Sequence, residues 1–188
     1  DDNAALFADL TTAFRGYQTL TVDTVVTRIV QGSETVEEAT EGDEVTLVLE
    51  NTPFYAESGG QVGDSGELRS DLAVIRVADC KKLPSGQILH ICRIERGYLA
   101  CGDKVKAQVD IPRRQSIMRN HTAAHLLQAA MRKVLGDHVH QAGQLVDEHR
   151  VRFDFSHFAA VTPEELVRIE ALVNEAILAD LPVVVQEM

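Results

Sequence analysis

Two histidines, His121 and His125, stand four residues apart in RNHTAAHLL. On a helix this spacing projects both imidazoles from one face, close enough to reach a single metal ion. The residue after His121 is Thr122, not the glutamate that zinc proteases place there, so the motif carries no general base of its own. Two nitrogens also make an incomplete zinc sphere, which takes four protein ligands or three and a water. His90, His138, His140, His149, His157 and the cysteines Cys80, Cys92 and Cys101 remain as partners, and no spacing singles one out. The pair reads as readily as two polar side chains at the edge of an amphipathic helix.

A second stretch, FYAESGGQVGDSG, places Gly59, Gly60, Gly63 and Gly66 close together, so the backbone either turns sharply or lies open to a ligand. It has neither the Lys-Ser/Thr of a phosphate-binding loop nor the glycine order of a dinucleotide fold. Glu57, Gln61 and Asp64 are the groups there that could hold something polar, and a tight hairpin connection is the simpler account. A third stretch, HVHQAGQLV followed by RVRFDFS, sets Gln141 and Gln144 beside a bend at Gly143, with Arg150 and Arg152 on the polar face of a strand. Arginines at such positions hold phosphate bidentately, and surface ion pairs account for them equally well.

The elements that carry these motifs follow from hydrophobic period. LTVDTVVTRIV, DEVTLVLE, LAVIRVAD, QILHICRIE and DKVKAQVDI predict short strands between Tyr17 and Ile111, closely spaced as in a small barrel or compact sheet. After Pro112 the period changes. Ile117, His121, Ala124, Leu127, Met131 and Val134 recur every three or four residues, and Gly136 follows as the stop. Strands are expected around 138–146 and 151–156. A second helix starts at Thr162, where Thr-Pro-Glu-Glu is a capping box with proline at the first helical position, and ends before Pro182. Residues 1–15 read as a helix end, and the tail Val183–Gln186 as the start of another strand.

The 188 residues suffice for one large domain or two small ones, and the net charge is −11. That balance alone argues against nucleic acid, but residues 113–152 carry a local net charge of +4 between acidic flanks. A solvated helix face would look the same. No apolar run reaches the ~20 residues of a membrane helix. Three irregularly spaced cysteines fit reduced thiols in a cytosolic protein. Asp1 is not an initiator methionine and the last residues are apolar, so both ends are expected to be cuts in a longer chain.

Taken in order, PFYAESGGQVGDSG, RNHTAAHLL, QAGQLV and RFDFSH resemble the editing domain of alanyl-tRNA synthetases, with related pieces in free-standing alanyl editing proteins and in threonyl-tRNA synthetases. The resemblance runs from about Tyr17 to the last residue. It implies an α+β fold, with a β-barrel-like subdomain followed by an α/β sandwich editing core of the threonyl/alanyl-tRNA synthetase second additional domain type. The expected divisions are 1–16 as a linker or helix end, 17–112 as the barrel and 113–188 as a core cut short. The implied activity is hydrolysis of serine or glycine wrongly esterified to tRNA(Ala). Such editing is needed because a pocket for alanine discriminates poorly against an added hydroxyl or a missing methyl. The parent would be an ATP-dependent, cytoplasmic alanine–tRNA ligase whose ligation site is not in this chain. In the family the two histidines join a downstream Cys-x-x-x-His pair on zinc. Here only His121 and His125 match, so zinc binding is expected to be weak or absent. The implied catalytic residues are Gln141 and Glu57, and the implied substrate contacts are Gly59, Gly60, Gln61, Thr122, Ala124 and Arg152. Many members carry threonine before the second histidine, to sense the serine hydroxyl; Ala124 stands there in this chain. The basic segment with Arg113, Arg114, Arg119, Arg132 and Lys133 is expected to face the tRNA. Rival readings are a tRNA-binding module without activity and a free-standing hydrolase.

Overall fold

The protein is described here by a computed structural model covering residues 3–184 and 186. Its chain divides into two units, Asp1–Gln115 and Ser116–Met188.

The first unit is a closed barrel of β2 (Thr21–Gln31), β5 (Glu44–Leu49), β7 (Gly66–Arg69), β8 (Ala73–Lys82), β9 (Ile88–Ala100) and β10 (Lys104–Val109). The pairing order is β10-β7-β8-β9-β5-β2, and β10 closes the ring by pairing antiparallel with β2 as well, Lys104 opposite Val25 and Gln108 opposite Thr21. The sequence reason is alternation. In β10, Val105, Ala107 and Val109 are buried and their neighbours exposed. In β9, Ile88, His90, Cys92 and Ile94 point inward. The inward rows meet in one core that includes Val26, Ile29, Leu47, Leu49, Phe54, Leu68, Ile75, Ile94 and Leu99. Register shifts between Val26 and Arg28 and between Val77 and Asp79 bend the long strands around it. Closure leaves the six strands without a free edge.

Short strands decorate the barrel: β3 (Glu34–Val36) on β2, β4 (Glu38–Thr40) on β9, and β1 (Ala13–Phe14) parallel to β6 (Asn51–Thr52). The N-terminal segment differs from the expected helix end. It makes one 3-10 turn, Ala4–Phe7, with Phe7 buried beside Val30, Val48 and Leu83, and then becomes β1. Asp1 and Asp2 lie outside the described residues.

Helix α1 spans Ile111–Leu135, and its first turn belongs to the first unit. The second unit holds the rest of α1, the antiparallel pair β11 (His140–Val146) and β12 (Val151–Ser156), and α2 (Pro163–Leu178). Its core is small: Ala130, Met131, Val139 and Ile169 are buried, with Leu127, Val134, Phe153, Phe155, Leu172 and Val173 packed around them. The start of α2 is as the sequence predicts. Thr162 Oγ1 accepts the Glu165 N–H at 3.2 Å and Glu165 Oε2 accepts the Thr162 N–H at 2.9 Å. The tail does not make the expected strand: residues 183, 184 and 186 take no regular structure, and Val185 lies outside the described residues. The α+β architecture, barrel first and helix-rich part second, agrees with the fold read from the sequence. No helix among the described residues is long and apolar enough to cross a membrane.

Candidate functional site

In the second unit His121 and His125 lie side by side on α1, ring centroids 5.1 Å apart and planes within 10° of parallel. Helix geometry alone produces this, since residues four apart share a face. His121 is half-buried and His125 exposed. Burial, and then the neighbouring His125, hold the His121 imidazole below its usual pKa, which favours the neutral ring that ligates metals. Between them Thr122 is exposed and Ala124 is buried at 3%. Among the described residues no group of three His, Cys, Asp or Glu side chains gathers at metal-holding geometry. The donor set here therefore fits zinc only in part: two neutral nitrogens of a four-ligand sphere.

Gln141 is exposed on β11 at an irregularity in the ladder, where Gln141 faces Phe155 but Gly143 faces Asp154 and Ala142 is left over. This is the bend expected at Gly143, and it sets Gln141 off the regular pleat. Arg152 is exposed on β12, its Nε 3.2 Å from Asp154 Oδ2.

The glycine-rich stretch belongs to the first unit. Gly59 and Gly60 have φ of 59° and 85°, and Ser58 and Gln61 exchange both backbone hydrogen bonds at 3.2 and 3.0 Å. Two successive positive φ values make a type I′ hairpin turn, which glycine adopts without strain. Gln61 is buried, and Glu57 receives Lys81 Nζ at 2.6 Å on the surface. Asp64 is fully buried and accepts from the Tyr55 N–H at 2.7 Å and from Arg114.

That last contact corrects an expectation. Arg114 does not face outward. Its Nε reaches both Asp64 oxygens at 3.0 and 2.9 Å, Nη1 donates to the Gly16 carbonyl at 3.0 Å, and Nη2 donates to the Pro53 carbonyl at 3.0 Å and to Asp64. With every nitrogen engaged and the side chain buried, it is unavailable to RNA. Arg113 Nη1 likewise donates to the Gly63 carbonyl at 2.9 Å. Arg119, Arg132 and Lys133 remain exposed. Asp64, weighed in the sequence as a possible ligand-holding group, is the other half of this buried pair.

The remaining histidines and cysteines separate cleanly. His90 is buried in the barrel and its tautomer is fixed by its neighbours. Nδ1 faces the Leu47 carbonyl at 3.0 Å and must donate, so Nε2 accepts from Thr52 Oγ1 at 2.7 Å, and Thr52 Oγ1 in turn accepts the Phe54 N–H at 3.1 Å. Burial lowers its pKa to about 4. Burial pushes the Cys80 and Cys92 thiols well up, which makes both poor ligands and poor nucleophiles. His138 and His157 form a pair that sequence spacing did not flag, Nε2 to Nδ1 2.7 Å. A groove of about 440 Å³ on the barrel wall, lined by Thr46, Arg76, Ile91 and Arg93, contains Cys92 but neither His121, His125 nor any of the implied catalytic and substrate-contact residues.

The family model for tRNA synthetases class II (A) matches residues 2–113. The chain belongs to that family. It is 50% identical over 186 residues to an alanine–tRNA ligase of Thermoanaerobacter sp. (strain X514), covering 99% of this chain and 21% of that protein. It is 51% identical over 177 residues to the alanine–tRNA ligase of Acetivibrio thermocellus, covering 94% and 20%. To that of Bacillus subtilis (strain 168) it is 50% identical over 170 residues, covering 90% and 19%. The resemblance to an alanyl-tRNA synthetase region therefore stands, and the chain spans about a fifth of the length of these class II relatives.

Proposed function

We propose that this chain is the editing portion of an alanyl-tRNA synthetase, which hydrolyses serine or glycine esterified to tRNA(Ala). The parent enzyme would be a cytoplasmic ligase that attaches alanine in an ATP-dependent reaction. The observation that carries the reading is the paired, solvent-accessible imidazoles of His121 and His125 in a chain half identical to alanine–tRNA ligases. Paired imidazoles on a helix, once they hold a metal ion, suit ester hydrolysis.

His121 and His125 would hold zinc together with further ligands, and zinc, when bound, supplies polarisation of an ester carbonyl or of water. The chain's own residues have separate tasks. The exposed Gln141 would hydrogen-bond the aminoacyl ester from the bulge on β11. Arg152, held by Asp154 at 3.2 Å, would contact the RNA phosphates. Glu57 and the Gly59–Gly60 turn with Gln61, in the first unit, would offer carboxylate and backbone polar groups to the tRNA. Thr122 is the exposed hydroxyl next to the histidines, whereas Ala124 presents only a buried methyl. Discrimination of serine would accordingly rest on groups other than Ala124.

The test is deacylation of Ser-tRNA(Ala), Gly-tRNA(Ala) and Ala-tRNA(Ala) by this chain, and by a version extended to supply a Cys-x-x-x-His, each with and without added zinc. Hydrolysis of the serine and glycine esters but not the alanine ester, lost in His121→Ala and Gln141→Ala, is the expected result. If neither version hydrolyses any ester yet both bind tRNA(Ala), the chain is a tRNA-binding module and the editing reading fails. Binding should weaken with salt and on charge reversal at Arg119, Arg132 and Lys133; salt-independent binding would remove the electrostatic part.

A further inference from the structure

Near the C-terminal end of α1 three rings meet, none of which the proposed reaction uses. His138 and His157 lie edge to edge in nearly one plane, centroids 5.0 Å apart with planes at 18°, hydrogen-bonded nitrogen to nitrogen at 2.7 Å. Phe158 closes the cluster, 4.9 Å from His138 and 4.6 Å from His157. Phe158 is nonetheless 85% exposed. A large aromatic this open is unusual on a polar surface, and here it lies against both imidazoles, tilted 31° from His138 and 38° from His157.

The placement of the imidazoles is built into the chain. Gly136 ends α1 with φ of 121°, and a Cβ there would come within 2.8 Å of His138 Nδ1. The ring thus lies directly over backbone that only glycine leaves clear. The hydrogen bond to His157 fixes its other side, and His157 in turn directly precedes Phe158 at the end of β12. The charged residues next to His138 along the chain are of both signs. Arg132 and Lys133 lie in the last turn of α1, and Arg132 also pairs with the exposed Asp137 at 3.5 Å, so these three side chains carry one net positive charge. Exposed planar rings with a positive charge close by are what an unpaired nucleobase and its phosphate require.

We propose that His138, His157 and Phe158 form a stacking ledge for an unpaired nucleobase, with Arg132 and Lys133 taking the adjoining phosphate. The ligand class is single-stranded RNA. This rests on the proposed function in one respect, that the strand is taken to be the tRNA's own unpaired end. From His125 to Leu135 the helix rises about 15 Å. A few nucleotides of single strand cover that distance, so a base could rest on the ledge while the ester lies at His121 and His125.

The probes are a hexamer of adenosines, a blunt RNA duplex of the same length, and inorganic phosphate, each titrated into the full chain. Phe158→Ala should weaken hexamer binding about tenfold, since base–aromatic stacking is worth that much or more. It should leave the melting midpoint unchanged, because the side chain is exposed. The chain contains no tryptophan. Phe158→Trp therefore places a single reporter on the ledge, whose emission should respond to the hexamer and not to duplex or phosphate. Unchanged hexamer affinity in Phe158→Ala overturns the proposal. So does an emission response equal for duplex or phosphate, and so does a response to protein concentration alone, which would mark a protein contact. Hexamer stacking without ester hydrolysis would remove the editing reading and leave the ledge standing; hydrolysis without stacking would remove the ledge alone.

Discussion

In the barrel, His90 has no exposed surface and both ring nitrogens are committed to neighbours. In the second unit, His121 with His125 and His138 with His157 stand in pairs with rings partly open to solvent. The same contrast holds for the arginines: Arg114 is fully engaged inside the first unit, while Arg119, Arg132 and Arg152 are exposed in the second. The cores differ in the same sense. Among the described residues, twenty are buried in the barrel core against four in the core of the second unit, so the barrel has the material for stability and the second unit keeps more of its polar chemistry at the surface. Reactive groups that stay accessible are those that the fold leaves at or near the surface.

This contrast can be broken by mutation. The largest effect is expected at the buried ion pair. Asp64→Ala leaves the Arg114 guanidinium buried without its carboxylate and should cost about 3–5 kcal/mol of barrel stability. Replacing both partners at once with apolar residues should cost far less, and urea melts of the two variants read the difference. Equal losses in both would mean that packing, not charge, is what the pair supplies.

The next effect is a pH dependence. The folded pKa of His90, about 4, lies below the ordinary value of 6.5, so between these values the unfolded chain takes up a proton that the folded one refuses. Stability from this group is complete above pH 6.5 and is lost as pH falls through 4, by about 3 kcal/mol in all. His90→Gln should flatten that part of the stability–pH curve. A curve unchanged by the substitution would show that other groups set the acid limit.

In the second unit the effects should be smaller. Thr162→Ala removes one half of the capping box and should cost about 1 kcal/mol, read as a lower melting midpoint for α2 by far-ultraviolet circular dichroism. Least of all, and in the first unit, Glu57→Gln breaks a surface pair whose side chains are both about half exposed, and should shift stability by no more than about 0.5 kcal/mol. A loss of several kcal/mol there would mean that the glycine-rich hairpin is held by charge and not by its turn.

The amino-acid sequence by itself determined what is local. Alternation placed β2, β5, β8, β9 and β10 to within a few residues, the Thr162 box marked the start of α2, and the spacing of His121 and His125 put them on one helical face. These features are legible because period and capping involve residues close along the chain. Only the tertiary structure decided what depends on distant pairing. Closure of the barrel needs β7, a four-residue strand too short to carry a period, which β10 joins on one side while pairing with β2 on the other. Arg114 reads as one more cation in a basic helix until Asp64, fifty residues earlier, is brought against it. His138 and His157 meet across 19 residues because the turn of β11 into β12 returns the chain to the end of α1. In each case the chemistry of a side chain was fixed by a partner that no local pattern names, since burial and hydrogen bonding depend on spatial neighbours and not on sequence spacing.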